Sequence, residues 1–325
     1  MQRIIFAAKF LFMFNRYWRS YPWYMQMLQF IILMAVMLSF VSLALSPLIM
    51  NLTKVSPDQI INISEKSPRT VINAGLLLQF VSSIGIFLLP ALLFAYFTHP
   101  KPGKYLGLVK PGNPTQLILS VIIIISAMPL IASIAEWLMQ FDLSGSAKEM
   151  QERNDRMVKA FTSSESIIQL VFSFIVVAII PGVGEELFFR GLLMRFAAKR
   201  SSNIYFPLVL SSLMFALMHD NIYGMLSIFI AGLILGSFYY LTGSLWSNIL
   251  AHVCFNGFQV VLVYFSKDAA VTKAMEQNSV PIPFVIGSTL ICIGAFYFLW
   301  KMRTPLPDDW SADYSKQELL EESTS

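Results

Sequence analysis

Six residues between positions 185 and 256 carry groups suited to acid–base chemistry: Glu185, Glu186, Arg190, His219, His252 and Asn256. All sit in or at the ends of long apolar runs. A charge near the bilayer centre costs roughly 2.5–3.5 kcal/mol on insertion scales, so ionisable groups kept there point to function. Glu186 and Arg190 are four apart with the acid first, the favoured order for an ion pair on one helix face. Glu185 is turned about 100° from Glu186 and finds no partner on its own helix. It is therefore the carboxylate suited to take a proton from water. Taken alone, the cluster reads equally well as a structural anchor at a helix end.

His252 and Asn256 also share a helix face. Both can donate hydrogen bonds, and two donors in a dry site suit the negative oxygen of a tetrahedral intermediate. Asn256 by itself reads as a hydrogen bond gluing two helices. His219 by itself, closing the run SSLMFALMH, reads as a helix-end residue favoured by the dipole, with Phe215 one turn earlier to pack under its ring. Asn248, four residues before His252, extends the polar stripe. Together these groups supply a base, a second group to orient water, and two donors, which are the parts of an amide hydrolase. The sequence contains neither a serine in a nucleophile-elbow context nor the H-E-x-x-H zinc-protease spacing. Cys254 is offset from His252 by about 200°, a poor place for a nucleophile.

The elements that hold these groups are set by composition. The 325 residues are 56% hydrophobic and 13% charged, against about 25% charged in soluble domains. That deficit marks an all-α polytopic membrane bundle. The net charge of +4 is scattered between apolar runs and gives no nucleic-acid surface. A spanning helix needs about 20 apolar residues, which predicts eight segments: 27–50, 73–98, 115–138, 166–189, 206–219, 225–242, 245–265 and 281–300. The fifth is short for a full crossing. Pro181, Gly182 and Gly184 predict a loosened helix just before the two acids. The charged stretch from Ala147 to Phe161 predicts a helix outside the membrane. With the N-terminus inside, fourteen of the 23 Lys and Arg fall in inner loops, which favours both termini in the cytoplasm. The first apolar run is too long for a cleavable signal peptide. No internal repeat supports a transporter built of paired halves.

The ordered motifs E-E-x-x-x-R (Glu185 to Arg190), F-x-x-x-H (Phe215 to His219) and H-x-x-x-N (His252 to Asn256) resemble the CAAX protease and bacteriocin-processing (CPBP, or Abi) family of intramembrane proteases. That family includes the type II CAAX prenyl endopeptidase. The resemblance covers about 166–265. It implies an eight-span helical core with a conical cavity opening toward the cytosol. It also implies a role for each motif residue: Glu185 as the base, His219 holding the water, His252 and Asn256 as the oxyanion hole, and Glu186, Arg190 and Phe215 in support. The expected substrate is a membrane-embedded or lipidated protein or peptide, either prenylated CAAX-type or carrying a leader peptide. A non-catalytic immunity or scaffold protein of the same fold is the alternative. Glu185, His219 and His252 could also hold a divalent metal such as zinc. On this reading 1–26 is an interfacial segment, 27–165 holds the first transmembrane helices and outer loops, and 166–265 is the catalytic core. Residues 266–300 hold the last outer loop and helix, and 301–325 form a polar tail. The expected location is the plasma (inner) membrane.

Overall fold

The computed structural model describes residues 18, 21–141, 145–164, 166–201, 203–265, 280–308 and 310–312. Most of the expected interfacial segment, the last outer loop and the end of the polar tail lie outside the described residues. The rest is an all-α bundle. Seven described helices are long and apolar enough to cross a membrane. They are α1 (Trp23–Thr53), α2 (Arg69–Thr98), α3 (Thr115–Leu138), α5 (Ile167–Ala198), α7 (Met225–Thr242), α8 (Leu245–Phe265) and α9 (Ile282–Lys301). Between them come the charged surface helix α4 (Gly145–Thr162) and the short apolar α6 (Tyr205–Leu217). Counting α6, the architecture agrees with the expected eight segments. The main difference in extent is α5, which runs on to Ala198 where the apolar run alone suggests an end near 189.

Prolines shape the long helices. π-helical turns occupy Val41–Leu45, Ile84–Leu88 and Ile175–Ile179, and each ends two residues before a proline: Pro47, Pro90 and Pro181. A proline has no N–H for the carbonyl four residues back, and its ring crowds that carbonyl. A widened turn relieves the crowding and lets the helix continue. The loosening expected at Pro181 thus takes the form of π turns on both sides of the acids, since Leu187–Leu193 is π-helical as well.

The helix ends form two opposite faces. On one, the segment after α9 is strapped across the bundle. Thr304 N–H donates to Leu241 O at 2.8 Å, and Leu306 N–H to Tyr240 O at 3.1 Å. Gln116 donates to Met302 O at 2.7 Å. Arg195 is buried here, donates to Tyr105 O at 2.7 Å, and lies over the rings of Tyr105 and Trp310 at 4.4 and 5.4 Å. On the other face α4 ties the loops together. Asn154 donates to Asp220 O at 3.2 Å, Tyr223 hydroxyl to Phe141 O at 3.2 Å, and Arg69 to Ser163 O at 2.9 Å.

α5 and α8 approach closely at Gly182. A Cβ there would sit 2.8 Å from Val253 Cγ2 and 3.2 Å from the Val253 backbone nitrogen. Gly182→Val should therefore overpack the contact and cost about 1–3 kcal/mol, read as a lower thermal unfolding midpoint in detergent.

Candidate active site

The site is built around Glu186, whose side chain is fully buried at the end of the stretch that follows Pro181. Its Oε1 accepts from Arg190 Nη1 at 2.7 Å and from His252 Nδ1 at 2.8 Å. Its Oε2 accepts from Asn248 Nδ2 at 3.3 Å. The i, i+4 pair read from the sequence is present, and both partners are inaccessible to solvent. Arg190 and Asn248 each reach on to α7: Arg190 Nη2 donates to Gly232 O at 2.9 Å and Asn248 Nδ2 to Leu235 O at 2.5 Å. Those carbonyls lie three residues apart, on one side of α7. Gly232 also lets α6 pack closely on α7, because a Cβ there would press on Ser212 at 3.1 Å. The Arg190 guanidinium also covers the ring of Phe215 at 4.7 Å, a cation–π contact in a dry place.

Glu185 is placed differently. Its side chain is 13% exposed, and Oε2 has no hydrogen-bond partner among the described residues. His252 Nε2 lies 3.8 Å from that oxygen. This is beyond a direct hydrogen bond. His252 therefore lies between the two glutamates. Glu186, as a carboxylate, takes the Nδ1 proton, so Nε2 carries a proton to donate only in the doubly protonated ring.

His219 lies in the exposed turn after α6 rather than inside a spanning helix. Its Nδ1 is 2.7 Å from Phe215 O. A carbonyl only accepts, so Nδ1 is the protonated nitrogen and Nε2 is left to accept or exchange a proton. Phe215 connects the two imidazoles: its ring is 4.5 Å from His219 and 5.7 Å from His252. Asn256 is half-buried on the His252 face of α8 and donates one amide hydrogen to Val177 O at 3.4 Å. Val177 is four residues before Pro181, so this is the carbonyl that the proline leaves without its usual donor. The second amide hydrogen of Asn256 is uncommitted in this contact.

The structure brings Glu185, Glu186, Arg190, Phe215 and His252 together, with His219 packed against the Phe215 ring and Asn256 one turn beyond His252. No three His, Cys, Asp or Glu side chains among the described residues are grouped as a metal site. Both His252 and His219 have committed Nδ1 to protein acceptors. Asn248 is the participant the motifs leave out. Its spacing from His252 put it on the polar stripe, but its bond to Glu186 joins positions 62 apart.

Residues 167–258 match the family model for Rce1-like type II CAAX prenyl endopeptidases. The matched stretch holds every motif residue from Glu185 to Asn256, and it bears out the resemblance drawn from the three motifs. No curated protein and no solved structure compared with the chain matched it. The Rce1-like proteins are a protease family, and the chain around the domain is an integral, multi-pass membrane protein.

Removing one member of a buried ion pair leaves an uncompensated charge, at about 3–5 kcal/mol. Arg190→Met should therefore lower thermal stability sharply. Arg190→Met combined with Glu186→Gln should recover part of the loss, as measured by unfolding of the purified variants.

Proposed function

We propose that the chain is an intramembrane endopeptidase that hydrolyses a peptide bond of a membrane-associated protein or peptide, using water activated by Glu185. The observation that carries this reading is the contrast between the two adjacent glutamates. Glu186 is saturated by Arg190, His252 and Asn248, whereas Glu185 keeps an unpartnered oxygen 3.8 Å from an imidazole nitrogen. In the reaction, Glu185 takes a proton from a water that His219 Nε2 helps to orient. The resulting hydroxide attacks the scissile carbonyl, and the carbonyl oxygen becomes an oxyanion. The imidazole of His252 and the amide of Asn256 face that oxyanion as its donors. Collapse of the intermediate breaks the C–N bond, and the proton held by Glu185 passes to the leaving amine.

A zinc ion would supply Lewis-acid chemistry. Its candidate ligands Glu185, His219 and His252 are not gathered into a ligand set, so no step passes through a metal. The expected substrate classes are a lipidated, CAAX-type protein and a leader-bearing peptide. The excess of Lys and Arg in the loops on the strap face supports both termini in the cytoplasm; the membrane proposed for the chain is the plasma (inner) membrane.

Glu185→Gln should cut processing at least about 100-fold, the usual contribution of a general base, while leaving helicity and thermal midpoint unchanged. Comparing protein termini in membranes that hold wild type and Glu185→Gln measures this and identifies the substrate. A cellular phenotype of the chain that survives joint loss of Glu185, His219 and His252 would mean a non-catalytic scaffold or immunity role instead. Chelator-treated, purified protein should retain its cleavage rate.

A further inference from the structure

Asn248 sits one turn before His252 on α8 and is fully buried. Its Nδ2 donates twice, to Glu186 Oε2 at 3.3 Å and to Leu235 O at 2.5 Å. Its Oδ1 is buried with no partner among the described residues. Leu235 lies inside α7, where a helical carbonyl already has the N–H four residues on as its donor. That carbonyl does not need Asn248. A buried acceptor left unsatisfied costs about 1–3 kcal/mol. As glue between helices Asn248 is therefore a poor choice, since an apolar side chain in its place would leave no orphan. The bond to Glu186 must account for it.

That bond decides how the carboxylate is shared. Oε1 serves two donors, Arg190 Nη1 at 2.7 Å and His252 Nδ1 at 2.8 Å. Arg190 competes for the whole group, because a guanidinium readily takes both oxygens of a carboxylate in a bidentate pair. Arg190 Nε is itself buried with no partner among the described residues. Rotating Glu186 into such a pair would satisfy the arginine and draw the shared oxygen away from His252. Asn248 opposes the rotation by holding Oε2. Its second bond, to α7, stops its own amide from following the carboxylate.

We propose that Asn248 is a positioning residue of the peptidase: it keeps Glu186 out of a bidentate pair with Arg190 and so reserves Oε1 for Nδ1 of His252. The effect reaches the other side of the ring. With Nδ1 committed, the Nε2 that faces Glu185 has one proton state in the neutral imidazole. With Nδ1 released, the ring proton exchanges between the two nitrogens. This inference deepens the peptidase reading and rests on it for the effect on rate, whereas the state of the ring is measurable without a substrate.

The chain has three histidines, His99, His219 and His252, so isotope-labelled histidine gives a simple imidazole spectrum of the purified full chain. His99→Asn and His219→Asn identify the other two signals. At alkaline pH, wild-type His252 should carry its proton on Nδ1 alone. Asn248→Leu should show both tautomers in exchange, with little change in thermal midpoint because Arg190 takes up the released oxygen. Asn248→Ala, which cannot overpack, should give the same ring state. Turnover is read on a cleavage site found by comparing termini of wild type and Glu185→Gln. It should fall about tenfold or more in both variants, the scale of a displaced catalytic group, with KM within about twofold. A folded variant that keeps Nδ1–H alone, or keeps wild-type turnover, would overturn the proposal. So would a lower midpoint with an unchanged ring, the outcome of a purely structural bond. If no terminus depends on Glu185, the peptidase reading fails, and the ring state still decides whether Asn248 holds the pair.

Discussion

The buried carboxylate of Glu186 is the constraint on which the rest of the site depends. A charge taken out of water must be met by donors of good geometry or it costs several kcal/mol. Here three donors meet it, one from its own helix and two from α8. Two of those donors pass the load on to neighbouring carbonyls of α7. Meeting one charge thereby sets how three helices lie against each other. It also fixes which nitrogen of His252 points inward and which faces Glu185.

The second constraint is the backbone around Pro181. The proline frees Val177 O, and the π turns on either side alter the helical phase through the stretch that carries both acids. Asn256 donates to that carbonyl, so the residue proposed for the oxyanion also ties α8 to the helix facing it. One amide hydrogen can serve each purpose. The arrangement keeps non-ideal backbone at membrane depth only where a neighbouring helix satisfies it.

Beyond the site, the two faces divide the work. The strap face is tied by backbone bonds across Leu241 and Tyr240 and closed by stacked aromatic and guanidinium groups. The α4 face is held by isolated side-chain-to-carbonyl bonds and leaves the His219 turn exposed. The ties that cross the bundle are thus concentrated on the strap face.

Much of this was legible in the sequence, wherever a relation is local. Apolar run length determined the helical membrane class, and the break in the fifth run marked α6 as short. Four-residue spacing determined the Glu186–Arg190 pair and the shared face of His252 and Asn256, because 3.6 residues per turn brings such positions together without help from the rest of the chain. The same rule left Glu185 without a partner on its own helix. Tertiary structure alone decided what no spacing encodes: that Glu186 takes His252 from 66 residues away, that Asn248 supports it, that Asn256 meets Val177 O, and that the His219 turn lies beside α4. Those contacts depend on the rotation and depth of each helix relative to its neighbours. Rotation and depth are set jointly by packing, by the π turns and by the buried charge, and no single segment contains all three.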